Sequence, residues 1–208
     1  MLKQTNPKGD TYYKGRADNY NKKRLKQDWW HVEQKEMEAL LETLPRNLSV
    51  VDIPFGTGRF VPFYDKFGYK IAGLDASADM IGAARASLGA LYEKCSCTVG
   101  DAMELPYKDG AFDLVVSTRF LRDIVTFGMA KTMLAEMARV TSKYAIIQLG
   151  NNFDEGRTPG DDEVMGGNLS KAGIEKMLKA NGLKVKERRL VLAEPEIGEI
   201  HHFLCEKI

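Results

Sequence analysis

The first half of the chain places glycines and acidic residues directly after short apolar runs, where they could bind a nucleoside. Gly56 and Gly58 follow the first run, and such a turn before a helix lets a ligand approach free backbone amides. Asp75 closes the next run, where a carboxylate can accept both hydroxyls of a ribose. Asp101 closes the third run, where its side chain and the next amide could read an adenine edge.

These positions require a sheet that brings the ends of the runs together. Apolar and β-branched runs predict strands, amphipathic stretches predict helices, and two final strands without a helix between them predict an antiparallel hairpin. The predicted strands are 48–53, 69–75, 95–101, 112–118, 143–150, 183–194 and 200–208, and the main helices between them are 58–68, 77–94, 129–140 and 168–182. This alternation predicts an α/β fold with a mostly parallel sheet and helices on both faces. Ligands in such sheets bind beyond the carboxyl ends of the strands.

Four segments together resemble the motifs of class I S-adenosylmethionine-dependent methyltransferases, in particular the branch that acts on small molecules. They are VVDIPFGTGRF (50–60), GLDASADMI (73–81), GDAMELPYKDGAFDLVVS (100–117) and, at the N-terminus, RADNYNKKR (16–24). The resemblance implies a Rossmann-like fold with a seven-stranded, mostly parallel sheet and an antiparallel C-terminal hairpin. It also implies a single domain over 1–208, in which a basic and aromatic arm and helix (1–45) cover the cofactor and acceptor side.

The resemblance implies S-adenosyl-L-methionine as the cofactor. Asp52 takes the acidic position of the first motif, Asp75 is the ribose-binding acid, and Met80 lies near the adenine. The cofactor-binding positions that it implies are Tyr20, Asp52, Pro54, Phe55, Gly56, Thr57, Gly58, Asp75, Ala76, Met80, Asp101, Ala102, Met103 and Ser117.

The glycine turn departs from the family pattern at one position. Pro54 replaces the usual first glycine, which fixes φ and removes an amide donor. The stiffer turn is expected to bring Phe55 against the cofactor. A nicotinamide site is not supported, because that fingerprint requires a glycine where the chain has Val61.

Methyl transfer from a sulfonium is an in-line displacement in which the protein mainly positions the acceptor. The acceptor is expected to be a small or medium-sized molecule, with its O, N or C atom unresolved. Three catalytic candidates follow: Arg119 for an anionic acceptor, Asp123 as an acid/base, and His31, which could reach the acceptor pocket. A structural ion pair of Asp123 with Arg122, and a packed or surface role for His31, remain alternatives.

Charge is distributed unevenly along the chain. The total is +1, whereas residues 1–30 hold eight basic and three acidic side chains, so the arm carries +5 and the remainder −4. The near-neutral total argues against a dedicated nucleic-acid partner, although an RNA methyltransferase that uses the arm remains an alternative. A SAM-binding protein with another reaction, such as aminopropyl transfer or SAM cleavage, is a second alternative.

Other features of the sequence concern the location of the protein in the cell and the kinds of site that it lacks. Three cysteines without a paired framework predict a reducing, cytoplasmic location. The sequence predicts no membrane span, no secretory signal and no metal site, because it has neither a long apolar run nor a zinc-binding histidine spacing. It does not predict an oligomeric state.

Overall fold

The predicted alternation of strands and helices is present. The computed structural model describes residues 26–121, 125–151, 160–163, 169–195 and 198–208. The strands are β1 (Ser49–Asp52), β2 (Lys70–Asp75), β3 (Cys95–Val99), β4 (Phe112–Ser117), β5 (Thr141–Asn151), β6 (Leu183–Glu194) and β7 (Gly198–Lys207). The helices are α1 (Asp28–Glu42), α2 (Val61–Lys66), α3 (Ala78–Leu88), α4 (Phe127–Val140) and α5 (Lys171–Ala180).

Several predicted boundaries change in the structure, and three of the changes have a local cause. Helix α2 begins at Val61 rather than at residue 58, because Gly58 adopts a left-handed φ of 69° within the preceding turn. Helix α3 ends at Leu88, and a 3-10 helix continues from Gly89 to Lys94. Strand β3 ends at Val99, before a turn that begins at Asp101. Turns formed by the backbone and by side chains therefore make these three elements shorter than apolar periodicity indicates.

The described residues form one seven-stranded sheet with the order β3-β2-β1-β4-β5-β7-β6. Strands β1 to β5 pair in parallel, and β7 pairs antiparallel with both β5 and β6. The predicted fold class is confirmed, including the antiparallel C-terminal hairpin. The carboxyl ends of β1, β2, β3 and β4 lie along one edge, as parallel pairing requires.

Helices cover both faces of this sheet. On one face, α1, α2 and α3 bury Leu41, Tyr64 and Ala84 in a common core. On the other face, α4 and α5 bury Met137 and Leu178. Within the described ranges, no helix has the length and apolar character needed to cross a bilayer.

Candidate active site

The glycine turn between β1 and α2 is the first part of the site. Its backbone is anchored by the amide of Phe55, which donates to the carbonyl of Leu74 at 2.8 Å. Gly56 and Gly58 have φ values of 57° and 69°, which L side chains rarely adopt. A Cβ on Gly58 would also lie 2.5 Å from Cδ1 of Leu88. Both glycines are therefore required by the shape of the turn.

The ring of Phe55 packs inside the protein. It is 3% exposed, and a Cβ built on Gly73 of β2 would lie only 2.2 Å from its Cδ2 atom. The missing side chain at Gly73 thus makes the space that the ring fills. The sequence predicts this ring against the cofactor, whereas in the structure it fills a gap over β2. Its neighbour Pro54, which follows a cis peptide bond, is half-buried at the start of the turn.

Asp75 joins the end of β2 to the glycine turn. Its Oδ2 accepts the amide of Gly56 at 2.8 Å, and its Oδ1 accepts the amide of Ser77 at 2.9 Å. Each carboxylate oxygen can accept a further hydrogen bond, so two amides orient the group without using its full capacity. A carboxylate held in this way could accept the hydroxyls of a ribose, the role that the sequence predicts for it.

Asp52 lies beneath the turn rather than at its surface. Its side chain is buried on the face covered by α2, and the hydroxyl of Tyr64 donates to its Oδ2 at 3.1 Å. Burial raises the pKa of Asp52 to about 8, and the neighbouring Asp75 adds to the rise. Asp52 is therefore largely neutral at pH 7 and acts as a hydrogen-bonded support for the turn.

The ends of β3 and β4 complete this part of the edge. Asp101 accepts the amide of Met103 at 2.8 Å in a tight turn, and the amide of Gly100 donates to the carbonyl of Asp75 at 3.0 Å. Ser117 is 1% exposed, and within the described part of the chain its Oγ has no hydrogen-bond partner. A buried hydroxyl at a strand end is a candidate to hydrogen-bond a polar ligand such as the predicted cofactor.

The remaining predicted cofactor residues take different depths along the same edge. Thr57 is buried in the glycine turn, Ala76 is exposed after β2, Met80 is buried in the first turn of α3, and Ala102 and Met103 are buried and half-buried after β3. Tyr20 lies outside the described residues. A Cβ built on Gly56 would lie 3.6 Å from the Cε of Met80.

Helix α1 meets the segment after β4, which contains the predicted catalytic residue Arg119. The guanidinium carbon of Arg119 lies 4.2 Å from the ring centroid of Trp29, and Arg119 has a φ of 54°. A non-glycine residue in this region is uncommon, and such residues cluster at functional sites. His31 is exposed in the first turn of α1 and directly follows Trp29 and Trp30 in the chain. Asp123 and its alternative partner Arg122 lie outside the described residues.

A second cation-aromatic pair involves Trp30, which directly follows Trp29 in the chain. The guanidinium carbon of Arg59 lies 3.4 Å from the ring centroid of Trp30, and its Nη2 donates to the carbonyl of Trp30 at 2.6 Å. Arg59 also forms an ion pair with the buried carboxylate of Glu33. Sequence reasoning missed Glu33. The available signal was a charged residue on the apolar stripe of α1, three positions after Trp30 and four before Met37.

Two histidines lie on opposite faces of β7, as the sequence predicts. His202 is fully buried, and burial lowers its pKa to about 4, so the ring is neutral at pH 7. Burial also lowers the pKa of His201, which lies 3.8 Å from Glu199. The described residues contain no group of three or more histidine, cysteine or acidic side chains placed to hold a metal ion.

Comparisons with known proteins find methyltransferases. A family model described as "Methyltransferase domain" matches residues 50–143. Ajmaline N-methyltransferase of Rauvolfia serpentina is 29% identical over 125 residues, which cover 59% of this chain and 42% of that protein. Demethylmenaquinone methyltransferase of Bacillus licheniformis is 32% identical over 113 residues, which cover 53% of this chain and 47% of that protein. The match therefore spans less than half the length of these curated relatives.

A solved structure extends the likeness to nearly the whole chain. The 1,6-didemethyltoxoflavin-N1-methyltransferase of Burkholderia thailandensis, with bound 1,6-didemethyltoxoflavin and S-adenosylhomocysteine, matches with a TM-score of 0.66 at 16% identity. The alignment covers 91% of this chain and 84% of that one, and at this identity it shows a common fold. Residues 50–143 thus match a methyltransferase domain, and nearly the whole chain shares its fold with a methyltransferase of known structure.

Proposed function

We propose that this protein binds S-adenosylmethionine along the carboxyl edge of β1 to β4 and transfers its methyl group to a small-molecule acceptor. The observation that carries this proposal is the Asp75 carboxylate, which the amides of Gly56 and Ser77 hold in one orientation beside the glycine turn. The match of residues 50–143 to a methyltransferase domain supports the interpretation of this geometry as a cofactor site. When bound, S-adenosylmethionine supplies a methyl group on a sulfonium, which is already activated for displacement.

The residues at the edge have separable tasks. Asp75 would accept the ribose hydroxyls, and the turn through Gly56 and Gly58 would let the cofactor approach the backbone. Asp101 and Ala102 would border the adenine, with Met80 close to the turn. Asp52 would support this arrangement from below without touching the cofactor, because its side chain is only 3% exposed.

The acceptor is proposed to bind on the side of β4 and α1. Arg119 offers a positive charge for an anionic acceptor, and its guanidinium is stacked on Trp29. Since the reaction mainly needs positioning, a base is required only for a poorly nucleophilic O–H, N–H or C–H. His31 and Asp123 stay candidates for that task. Relatives that methylate small molecules support a small acceptor.

The role of the N-terminal arm and the location of the protein in the cell remain predictions. Helix α1 lies next to the glycine turn through its ion pair with Arg59, which supports a covering role for 1–45 within a single domain. We also propose a cytoplasmic location, because Cys95, Cys97 and Cys205 are free thiols.

Calorimetric binding of S-adenosylhomocysteine tests the cofactor site. Asp75→Ala is expected to weaken binding by about 100-fold, because hydrogen bonds to a charged group contribute about 1.5–3 kcal/mol each. Gly56→Val should also abolish most binding, since valine is strained at a φ of 57°. Asp109→Ala is the matched control, because that side chain is 83% exposed on a distant turn. Parent-like affinity in both site variants would show that the site is wrongly assigned.

Product analysis tests the reaction. The protein is incubated with methyl-labelled S-adenosylmethionine and a panel of small amines, phenols and carboxylates. A labelled acceptor together with S-adenosylhomocysteine supports methyl transfer. Cleavage of S-adenosylmethionine to other fragments, or labelled RNA when RNA is added, would support one of the alternative reactions instead.

A further inference from the structure

Helix α1 buries a carboxylate in the middle of its apolar face. Glu33 is 1% exposed and lies on the same stripe as Trp30 and Met37. A buried charge is strongly unfavourable unless it is paired and hydrogen-bonded. The partners of Glu33 therefore indicate why it is there.

Two groups from distant parts of the chain meet this carboxylate. The guanidinium of Arg59, one residue after the glycine turn, pairs with one oxygen. The side-chain amide of Gln148 on β5 donates to the other oxygen. Burial acts to raise the pKa of Glu33, but the charges of Arg59 and Arg119 and the bond from Gln148 lower it overall. Glu33 is thus a carboxylate with both oxygens engaged.

The chain of hydrogen bonds continues to the acceptor side. The Oε1 of Gln148 accepts the backbone amide of Arg119 at 2.9 Å. Only one orientation of the Gln148 amide satisfies both neighbours, because a carboxylate can only accept and a backbone N–H can only donate. This bond holds Arg119 in its left-handed conformation, with φ at 54°.

We propose that Glu33 is a positioning residue of the active site, which acts through Arg59 and Gln148. It ties α1 to the cofactor turn and to the residue after β4, and so holds both arginine-tryptophan pairs in place. This inference rests on the proposed function, because it assumes that these two segments border the cofactor and the acceptor. Glu33 itself is too deeply buried to contact either molecule.

The direction of the hydrogen bonds provides a swap test. In Glu33→Gln, the new amide can satisfy Arg59 or Gln148 but not both. In Gln148→Glu, two carboxylates face each other. In the double variant E33Q/Q148E, the amide introduced on α1 would accept from Arg59 and donate to the carboxylate introduced on β5. That carboxylate would in turn accept the backbone amide of Arg119. Each bond of the parent is thereby restored, with the negative charge moved from α1 to β5.

Two measurements show the effect of these substitutions. Calorimetry gives the affinity for S-adenosylhomocysteine, and intrinsic fluorescence reports the site directly because Trp29 and Trp30 are the two tryptophans of the chain. We expect each single variant to weaken binding about tenfold and to shift tryptophan emission to longer wavelength. The double variant should recover both values, with an affinity within about threefold of the parent.

A control separates positioning from general stability. Asp113→Asn breaks another polar cluster at the opposite edge of the same sheet, so it should lower Tm while affinity and emission stay at the parent values. Parent-like affinity and emission in both single variants would overturn the proposal. So would a folded double variant without recovery. If the parent itself binds no S-adenosylhomocysteine, the proposed function fails, and the emission of the four proteins still decides whether Glu33 holds the two pairs.

Discussion

Strand β1 has an acidic side chain close to each of its ends, and the two carboxyl groups differ in burial and in charge. At the amino end, Asp113 of β4 accepts the amide and the hydroxyl of Ser49, both at 2.9 Å, and pairs with Lys143 at 2.9 Å. At the carboxyl end, Asp52 accepts from the hydroxyl of Tyr64 and lies wholly inside the protein.

The two carboxyl groups contribute to the stability of the fold in opposite directions. The hydrogen bond from the Ser49 amide, with the help of Lys143, lowers the pKa of Asp113 to about 2, so this carboxylate is more favourable in the folded state. Burial raises the pKa of Asp52 to about 8, so its ionised form is unfavourable there. The amino end is arranged for stability, whereas the carboxyl end keeps an unfavourable group beneath the glycine turn.

The largest expected effect comes from filling the space at the carboxyl half of β2. Gly73→Val should lower the free energy of unfolding by about 3 kcal/mol, because overpacking forces buried side chains to move and the Phe55 ring occupies that space. Chemical denaturation measures the change. Lys70→Val, at the exposed amino end of the same strand, is the control and should shift stability by under about 0.5 kcal/mol. A loss below about 1 kcal/mol at Gly73 would contradict the packing described here.

The second prediction concerns the pH dependence at Asp52. Between pH 4 and 8 the unfolded chain has ionised this group while the folded protein holds its proton, so stability falls as pH rises. Asp52→Asn has no proton to lose and can still accept from Tyr64. Its stability relative to the parent should rise by about 2 kcal/mol from pH 5 to pH 7, measured by denaturation at each pH. A pH-independent difference would show that Asp52 is ionised in the folded state.

Asp113→Asn should show the opposite pH trend. At pH 7 the variant loses charge-assisted hydrogen bonds and should be less stable by about 1.5–2 kcal/mol. The contribution of Asp113 is present above its unfolded pKa near 3.8 and is lost as pH falls through about 2. The gap between parent and variant should therefore close in acid, as thermal unfolding at pH 7, 4 and 2 would show. A gap that widens in acid would overturn this view of the amino end.

The smallest effect is expected at the exposed partner of Asp113. Lys143→Met removes an ion pair whose lysine side chain is 56% exposed, and such pairs contribute roughly 0.2–1 kcal/mol. High salt should shrink the difference further, because exposed charges are screened. A loss of more than about 1.5 kcal/mol would show that Lys143, rather than Ser49, is the main support of Asp113.

Much of the fold follows from patterns that are local in the chain. Strands β1, β2 and β4 are short apolar runs, and each is followed by a turn or a capped helix that the sequence signals directly. Ser77, for example, caps α3 by accepting the amide of Met80. Asp75 is predicted as a site residue because it ends its strand, and strand ends share one edge of a parallel sheet.

Other features depended on which face of the sheet a side chain meets. The motif alone places Asp52 with the cofactor residues, but its side chain points toward α2 and Tyr64. The same motif predicts the Phe55 ring against the cofactor, whereas the empty position at Gly73 takes it into the core. A strand has two faces, and its sequence motif does not say which neighbour occupies each.

Local pattern thus accounts for the order of elements, the glycine turn and the acids at the strand ends, since each depends on residues a few positions apart. Tertiary packing alone decided the link between Glu33 and Gln148, which lie 115 positions apart. It also decided the left-handed backbone at Arg119 and the charge state of Asp52. Burial and long-range hydrogen bonding set these properties, and neither exists until the helices have packed on the sheet.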